Sequence, residues 1–257
     1  MGFLVTQNKL DDLSHTVTFT QGADNSDFPF SNSHNGIISQ GFKNNASSDP
    51  VIIIEFSAAT DADLVGIYCA NADRNFDVVI SYALVDSVNT FQNFGSISHV
   101  TANNKFNAIK KTQPIGEIKK LKFTFTNLGK TVINHIHVGR SEEINISAPY
   151  VPPMAFQRRQ VVKRNNKGLP LGSELMIKPQ KLSVNTLAYT PAQINSLFNG
   201  TLVRKMETYP FIIYTADGTP AEDVNNGYLC TLDGDLNPPE YVDPNIVNWS
   251  FTALGYT

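Results

Sequence analysis

Lys120–Thr126 reads KLKFTFT. Every second residue is apolar. In an extended chain Leu121, Phe123 and Phe125 point to one side and Lys122, Thr124 and Thr126 to the other. A helix would scatter these residues around its circumference, whereas a half-buried strand sorts them. The stretch predicts a β-strand with one face in a core. Its neighbours have the same texture. Thr16–Thr20 (TVTFT) alternates, Val51–Phe56 (VIIIEF) is rich in β-branched residues, and Leu64–Cys69 (LVGIYC), Asp77–Ala83 (DVVISYA) and Thr131–Gly139 (TVINHIHVG) follow at short intervals. Turn-forming residues crowd the gaps, as in ADNSDFPFSNSHNG and GFKNNASS. The reading is mainly β, a sandwich of antiparallel strands.

The texture changes after that last strand. Ala148–Phe156 (APYVPPMAF) holds three prolines and cannot be a central strand. It sets a boundary between residues 1–147, a β-sandwich, and residues 148–257, a second β-rich domain. Arg158–Asn166 (RRQVVKRNN) is basic and then turns, and GLPLGSEL suggests a further loop. One short helix is expected near residues 191–199. Thr190 and Gln193 form a capping box, Pro191 suits the first helical position, Ile194, Leu197 and Phe198 share a face, and Gly200 provides the stop. Strands resume at Tyr209–Thr215, Gly227–Leu232 and Ile246–Leu254.

Composition narrows the function. The 257 residues are 41% hydrophobic and 17% charged, which describes a globular chain with enough length for a real core. A net charge of −3 excludes a general nucleic-acid binder. No apolar run approaches the ~20 residues of a membrane helix. The N-terminal stretch has no basic start followed by an apolar run, and Cys69 and Cys230 form no bridge framework, so folding in a reducing cytoplasm is expected. The two thiols read as free and buried, with a long-range disulfide as the alternative.

His135 and His137 in INHIHVGR are two apart and so share one face of a strand, opposite Ile136 and Val138. A metal site needs at least a third ligand, and no spacing ties His15, His34 or His99 to the pair. The pair is therefore read as structural or interfacial, on the more polar face, and no metal or other cofactor is expected. Asp24, Asp27, Asp61 and Asp63 suit Asx turns, with a loop calcium as the alternative. No catalytic residue is expected. There is no G-x-S-x-G and no phosphate loop, and Glu142 and Glu143 are adjacent and so face opposite ways on a strand. Ordering the long segment 148–172 alone would cost on the order of 1–2 kcal/mol per residue. That cost suggests a partner surface anchored by Tyr150, Met154 and Phe156, with Arg158 and Arg159 on its carboxylates; the alternative is that the segment covers its own domain. The acidic Asp233–Asp243 region (DGDLNPPEYVD) of a neighbouring subunit is one such surface.

The strand, gap, strand and Asn-containing loop of VIIIEFSAATDADLVGIYCANADRNFDVVISYA, with the closing KLKFTFTNLGKTVINHIHVG, resemble the discoidin-like, galactose-binding-like jelly rolls from about Thr16 to Gly139. The whole layout is similar to bacteriophage tail and baseplate proteins. In these a jelly roll, a basic crossing (here APYVPPMAFQRRQVVKRNNKGLPLG), a short helix and a "Pro-Phe" strand (AQINSLFNGTLVRKMETYPFIIYTADG) follow in order. That resemblance implies a non-enzymatic virion component, assembled in the host cytoplasm, that forms a homo-oligomeric ring and docks other virion proteins, with no membrane or nucleic-acid recognition. The jelly roll alone implies an alternative, a carbohydrate-binding module for host-surface glycans. Its site would use loop residues at one end of the sandwich: Phe28, Phe30, His34 and Asn35, with Arg74, Asn75 and Phe76.

Overall fold

KLKFTFT lies in β9 (Ile118–Thr126) and sorts as its alternation predicts. Leu121, Phe123 and Phe125 are buried, while Lys122 and Thr124 keep partial access to solvent. The structure, a computed structural model, describes residues 2–5, 7–70, 72–100, 106–111, 115–144, 158–164, 170–177, 180–199, 205–215, 227–236 and 238–256. β9 is the centre of a five-stranded antiparallel sheet. It is flanked by β4 (Val51–Thr60) and then β2 (His15–Gln21) on one side, and by β6 (Phe76–Leu84) and then β7 (Gln92–His99) on the other. β4 alternates too. Ile52, Ile54 and Phe56 are fully buried, while Ile53 lies between Thr18 and Lys122 on the outer face.

A three-stranded sheet packs on this one, in the order β11 (His135–Gly139), β5 (Leu64–Tyr68), β8 (Phe106–Lys110). Every residue of β5 is buried, which one sandwich partner cannot achieve. Val65 and Ile67 enter the core shared with the five-stranded sheet. Leu64 and Tyr68 face away from it and meet Phe106, Ala108, Ile212 and Leu229. Gly66 makes this close approach possible, since a Cβ there would sit 2.5 Å from the Phe106 ring and 3.2 Å from Ile212.

Ile212 and Leu229 belong to a third layer. Its strands run β12 (Glu142–Ile144), β1 (Gly2–Val5), β16 (Phe211–Thr215), β17 (Gly227–Leu232), β19 (Ile246–Tyr256) and β15 (Gln180–Tyr189), with β18 (Glu240–Asp243) also paired to β19. Residues 2–5 and 142–144 thus share a sheet with strands from beyond residue 147. The face turned away from the jelly roll is a separate core of Leu182, Val184, Phe211, Ile213, Cys230, Trp249 and Phe251. Ile194 of α2 (Pro191–Asn199) joins it. The capping box of that helix is formed: Thr190 N donates to Gln193 Oε1 (2.9 Å) and Gln193 N to Thr190 Oγ1 (3.3 Å).

Three local expectations change. The stretch Thr131–Gly139 breaks into β10 (Val132–Ile133), which pairs with β3 (Phe42–Lys43), and β11. The break is at Asn134, whose side chain accepts from Ala70 N (2.8 Å) and donates to Gln40 O (3.1 Å). From Pro170 on, GLPLGSEL is strand and not loop: β14 (Pro170–Ile177) pairs with β13 (Arg158–Arg164) as a two-stranded antiparallel ribbon. A short helix, α1 (Lys9–Asp12), also starts at an Asn8 cap.

Candidate functional site

The strand directions bring the connections 22–50, 69–75 and 127–131 to one end of the sandwich. The sequence candidates separate sharply there. Phe30 is 1% exposed and packs against Phe42 and His34 at ring separations of 5.5 and 5.7 Å. Phe76 is 2% exposed and stacks on His99 at 4.9 Å. His34 is 8% exposed, its Nδ1 lying 3.2 Å from Asp11 Oδ1. These three close the sandwich and offer no ring face to a ligand. Phe28 does, being 42% exposed.

Contacts connect Phe28 to Arg74. Lys43 N donates to Phe28 O (3.1 Å), and Lys43 Nζ lies 5.9 Å from the Phe28 ring centre. Across the β3–β10 pair Lys43 stands opposite Val132, beside Thr131. The Thr131 hydroxyl donates to Asp73 Oδ1, and Asp73 Oδ2 lies 3.8 Å from Arg74 Nε. The Thr131 bond, aided by Arg74, holds the Asp73 carboxyl below the usual carboxylate range. Arg74 lies across Gly129, where a Cβ would come within 2.6 Å of Nε and where φ is +62°. The end therefore carries an exposed ring, a cation over it and an arginine–carboxylate pair with exposed side chains. Asn35 and Asn75 are also exposed. Lys43, Asp73 and Thr131 were missed by sequence reading because only the β3–β10 pairing brings them together.

The histidine pair sits elsewhere. His135 stands opposite Tyr68 and His137 opposite Gly66, so both share the face that meets the third layer. They are 1% and 0% exposed, not on a polar surface; His34 lies near His135, and the Gln7 backbone reaches His137. His135 Nε2 and His137 Nδ1 are 3.4 Å apart. Burial, with His34 nearby, pushes the His135 pKa down to about 3. Burial, with His135 beside it, holds His137 well below the ordinary imidazole value. His15 lies 5.1 Å from His34, ring centre to ring centre, so four imidazoles from distant positions run from a partly exposed ring into the interior. His135 and His137 are neutral at ordinary pH. Among the described residues no group of three or more His, Cys, Asp or Glu is placed to hold a metal.

Three of the four loop aspartates are engaged. Asp24 Oδ1 accepts from Phe30 N (2.8 Å) and Asn25 N (3.0 Å), and the Asx turn here belongs to Asn25, whose Oδ1 accepts from Asp27 N (2.9 Å). Asp61 pairs with Arg140, and Asp63 accepts from Ser141 N (2.7 Å) and faces Lys110 at 3.4 Å. Cys69 and Cys230 are free and buried, without the long-range disulfide, and burial raises both thiol pKa values. Tyr150, Met154 and Phe156 lie outside the described residues. Arg158 and Arg159 open β13, opposite Ile177 and Met176.

No protein-family model and no curated protein matches the chain. Among solved structures it is similar to a pectin-binding carbohydrate-binding module, at 16% identity and a TM-score of 0.39 over 49% of this chain and 89% of that one. It is also similar to a carbohydrate-binding module (CBM32-1) of a family 31 glycoside hydrolase from Clostridium perfringens, at 14% identity and 0.39 over 49% and 94%. A third is a GH29 fucosidase of Ruminococcus gnavus, at 18% identity and 0.45 over 53% and 27%.

Proposed function

We propose that this chain is a non-enzymatic binding module that recognises a glycan at the loop end built around Phe28 and Arg74. The observation that carries the reading is that one end of the sandwich bears an exposed aromatic ring with Lys43 beside it and, across the β3–β10 pair, the exposed Asp73–Arg74 pair held by Thr131. A pyranose ring has an apolar face of C–H groups that stacks on an aromatic ring, and hydroxyls at its rim that need directional donors and acceptors. Phe28 serves the first need. The others provide both donors and an acceptor, and Asp73 is kept ionised. Phe30, His34 and Phe76 support the loops from below.

The test is a glycan screen followed by titration calorimetry on the hit. A charge-assisted hydrogen bond contributes about 1.5–3 kcal/mol, so Arg74→Ala should weaken binding roughly ten- to hundredfold. Phe28→Ala should do similarly, and neither should lower the melting temperature appreciably. Glycan binding that survives the double substitution refutes this site. A second reading, docking within a larger assembly, is favoured by β13–β14, a hairpin that pairs with no further strand among the described residues.

A further inference from the structure

Two β elements of this chain are left open along an edge, and their charges are opposite. The first is β18. It pairs with β19 alone among the described strands, and all four of its residues are exposed. Tyr241 and Val242 are 66% and 65% exposed, and Ile246, which opens the returning strand, is 41% exposed. No other large apolar side chain among the described residues stands as far into solvent as Tyr241 and Val242. A strand with open amides, open carbonyls and apolar side chains is a template for another strand unless something covers it. Its two charges are acidic, Glu240 and Asp243, and the stretch that leads into it adds Asp233 and Asp235.

The second is the β13–β14 hairpin. β13 reads RRQVVKR, with four cations around two valines. A two-stranded ribbon that joins no larger sheet is marginal in water, because it has no third strand to bury its apolar residues against. β13–β14 joins none among the described residues. β13 carries four cations, against the single carboxylate Glu174 on β14, and β18 carries only the acids Glu240 and Asp243.

We propose that the β13–β14 hairpin of one copy of this chain docks along β18 of a second copy. Strand pairing along the open edge supplies the register. Tyr241 and Val242 provide the apolar anchor, and the opposite charges steer the approach and select the orientation. The two patches differ, so the contact is head-to-tail. It leaves a free hairpin at one end of each pair and a free β18 at the other. Copies must then add until a ring closes or a filament grows. The steering is sensitive to salt, since exposed charges are screened beyond about 8 Å at physiological ionic strength.

The test is sedimentation velocity on the full chain over a range of concentrations, in low and high salt. The expected result is a concentration-dependent oligomer that dissociates as salt rises. R158E/R159E and E240R/D243R should each weaken association about tenfold or more, with circular dichroism unchanged. The chain carrying all four reversals should assemble again, because each patch then meets its new complement. A wild-type chain that stays monomeric throughout overturns the proposal, and so does assembly that survives either charge reversal. Failure of the fourfold variant to recover also overturns it, since it would assign the losses to something other than this contact. A basic hairpin serving an anionic polymer instead would show as binding to heparin by a monomer that never self-associates.

Discussion

Removing the Asn8 side chain tests how the exposed edge of the middle sheet is held. Among the described strands β11 is an outer one of that sheet, so Ile136 O and Val138 N have no described strand beside them on that side. Asn8 replaces one. Its Nδ2 donates to Ile136 O (2.9 Å) and its Oδ1 accepts from Val138 N (3.0 Å), while the same oxygen caps α1 through Leu10 N (3.3 Å). Asn8 is 5% exposed, and Ile136 and Val138 are fully buried. Asn8→Ala leaves a buried carbonyl and a buried amide unpaired, at about 1–3 kcal/mol each. It also removes a cap worth about 1 kcal/mol. Water entering the vacated space recovers part of this, so we expect a net loss of about 2–4 kcal/mol, a large share of the ~5–15 kcal/mol of a typical fold. At ~2–4 °C per kcal/mol for a chain of this size, the melting point should fall by about 4–16 °C. Urea denaturation followed by circular dichroism and by the single tryptophan, Trp249, measures the loss. Asn8→Asp sharpens the test. Its new carboxylate still accepts from Val138 N but opposes Ile136 O, so it should destabilise at neutral pH. It should recover in part as acid protonates the carboxyl and turns it into a donor. A loss below about 1 kcal/mol for Asn8→Ala, or no acid recovery for Asn8→Asp, would refute the role assigned to Asn8.

Three further outcomes follow from the layers. His135 and His137 are held neutral when folded, so the unfolded chain takes up protons first; their contribution is complete above the unfolded pKa of about 6.5 and is lost as pH falls. For His135, at 1.36 kcal/mol per pH unit, the loss reaches about 2.7 kcal/mol by pH ~4.5. His135→Leu should flatten the urea midpoint against pH in this window, and an unchanged slope would show that the imidazole titrates freely. Gly66→Ala should destabilise by about 1–3 kcal/mol, because the new methyl meets Phe106 and Ile212 and separates two layers; an unshifted melting curve would mean that the layers are not in contact there. Both thiols should resist a disulfide reagent until denaturant is added, since burial disfavours the thiolate. Stoichiometric labelling of the native chain would contradict the burial of Cys69 and Cys230.

Much of the secondary structure was legible because its causes are local. The period of two in KLKFTFT and in IVNWSFTAL, and the Thr190–Gln193 cap, depend on residues a few positions apart. The β-sandwich class follows from the same alternation, and the jelly roll from the resemblance. Which face of a doubly buried strand looks where is not local. His135 and His137 were expected on a polar face, yet they are buried, with His34 and the backbone of Gln7 brought beside them from distant parts of the chain. The candidate loop shows the same limit at short range. Phe28 and Phe30 are two apart in a turn-rich stretch without periodicity, and one is 42% exposed while the other is 1%.

The sequence by itself determined the strands with clear alternation, the capped helix α2 and the absence of a common catalytic motif, since propensity, alternation and capping act between near neighbours. Only the tertiary structure decided the third layer, the Asn8 clasp and the contacts joining Phe28 to Arg74. Asn8 and Val138 are 130 positions apart, and Asp73 and Thr131 are 58 apart. The physical reason is that hydrogen bonds and apolar contacts at such separations arise from the packing of whole sheets, which no short window of sequence contains.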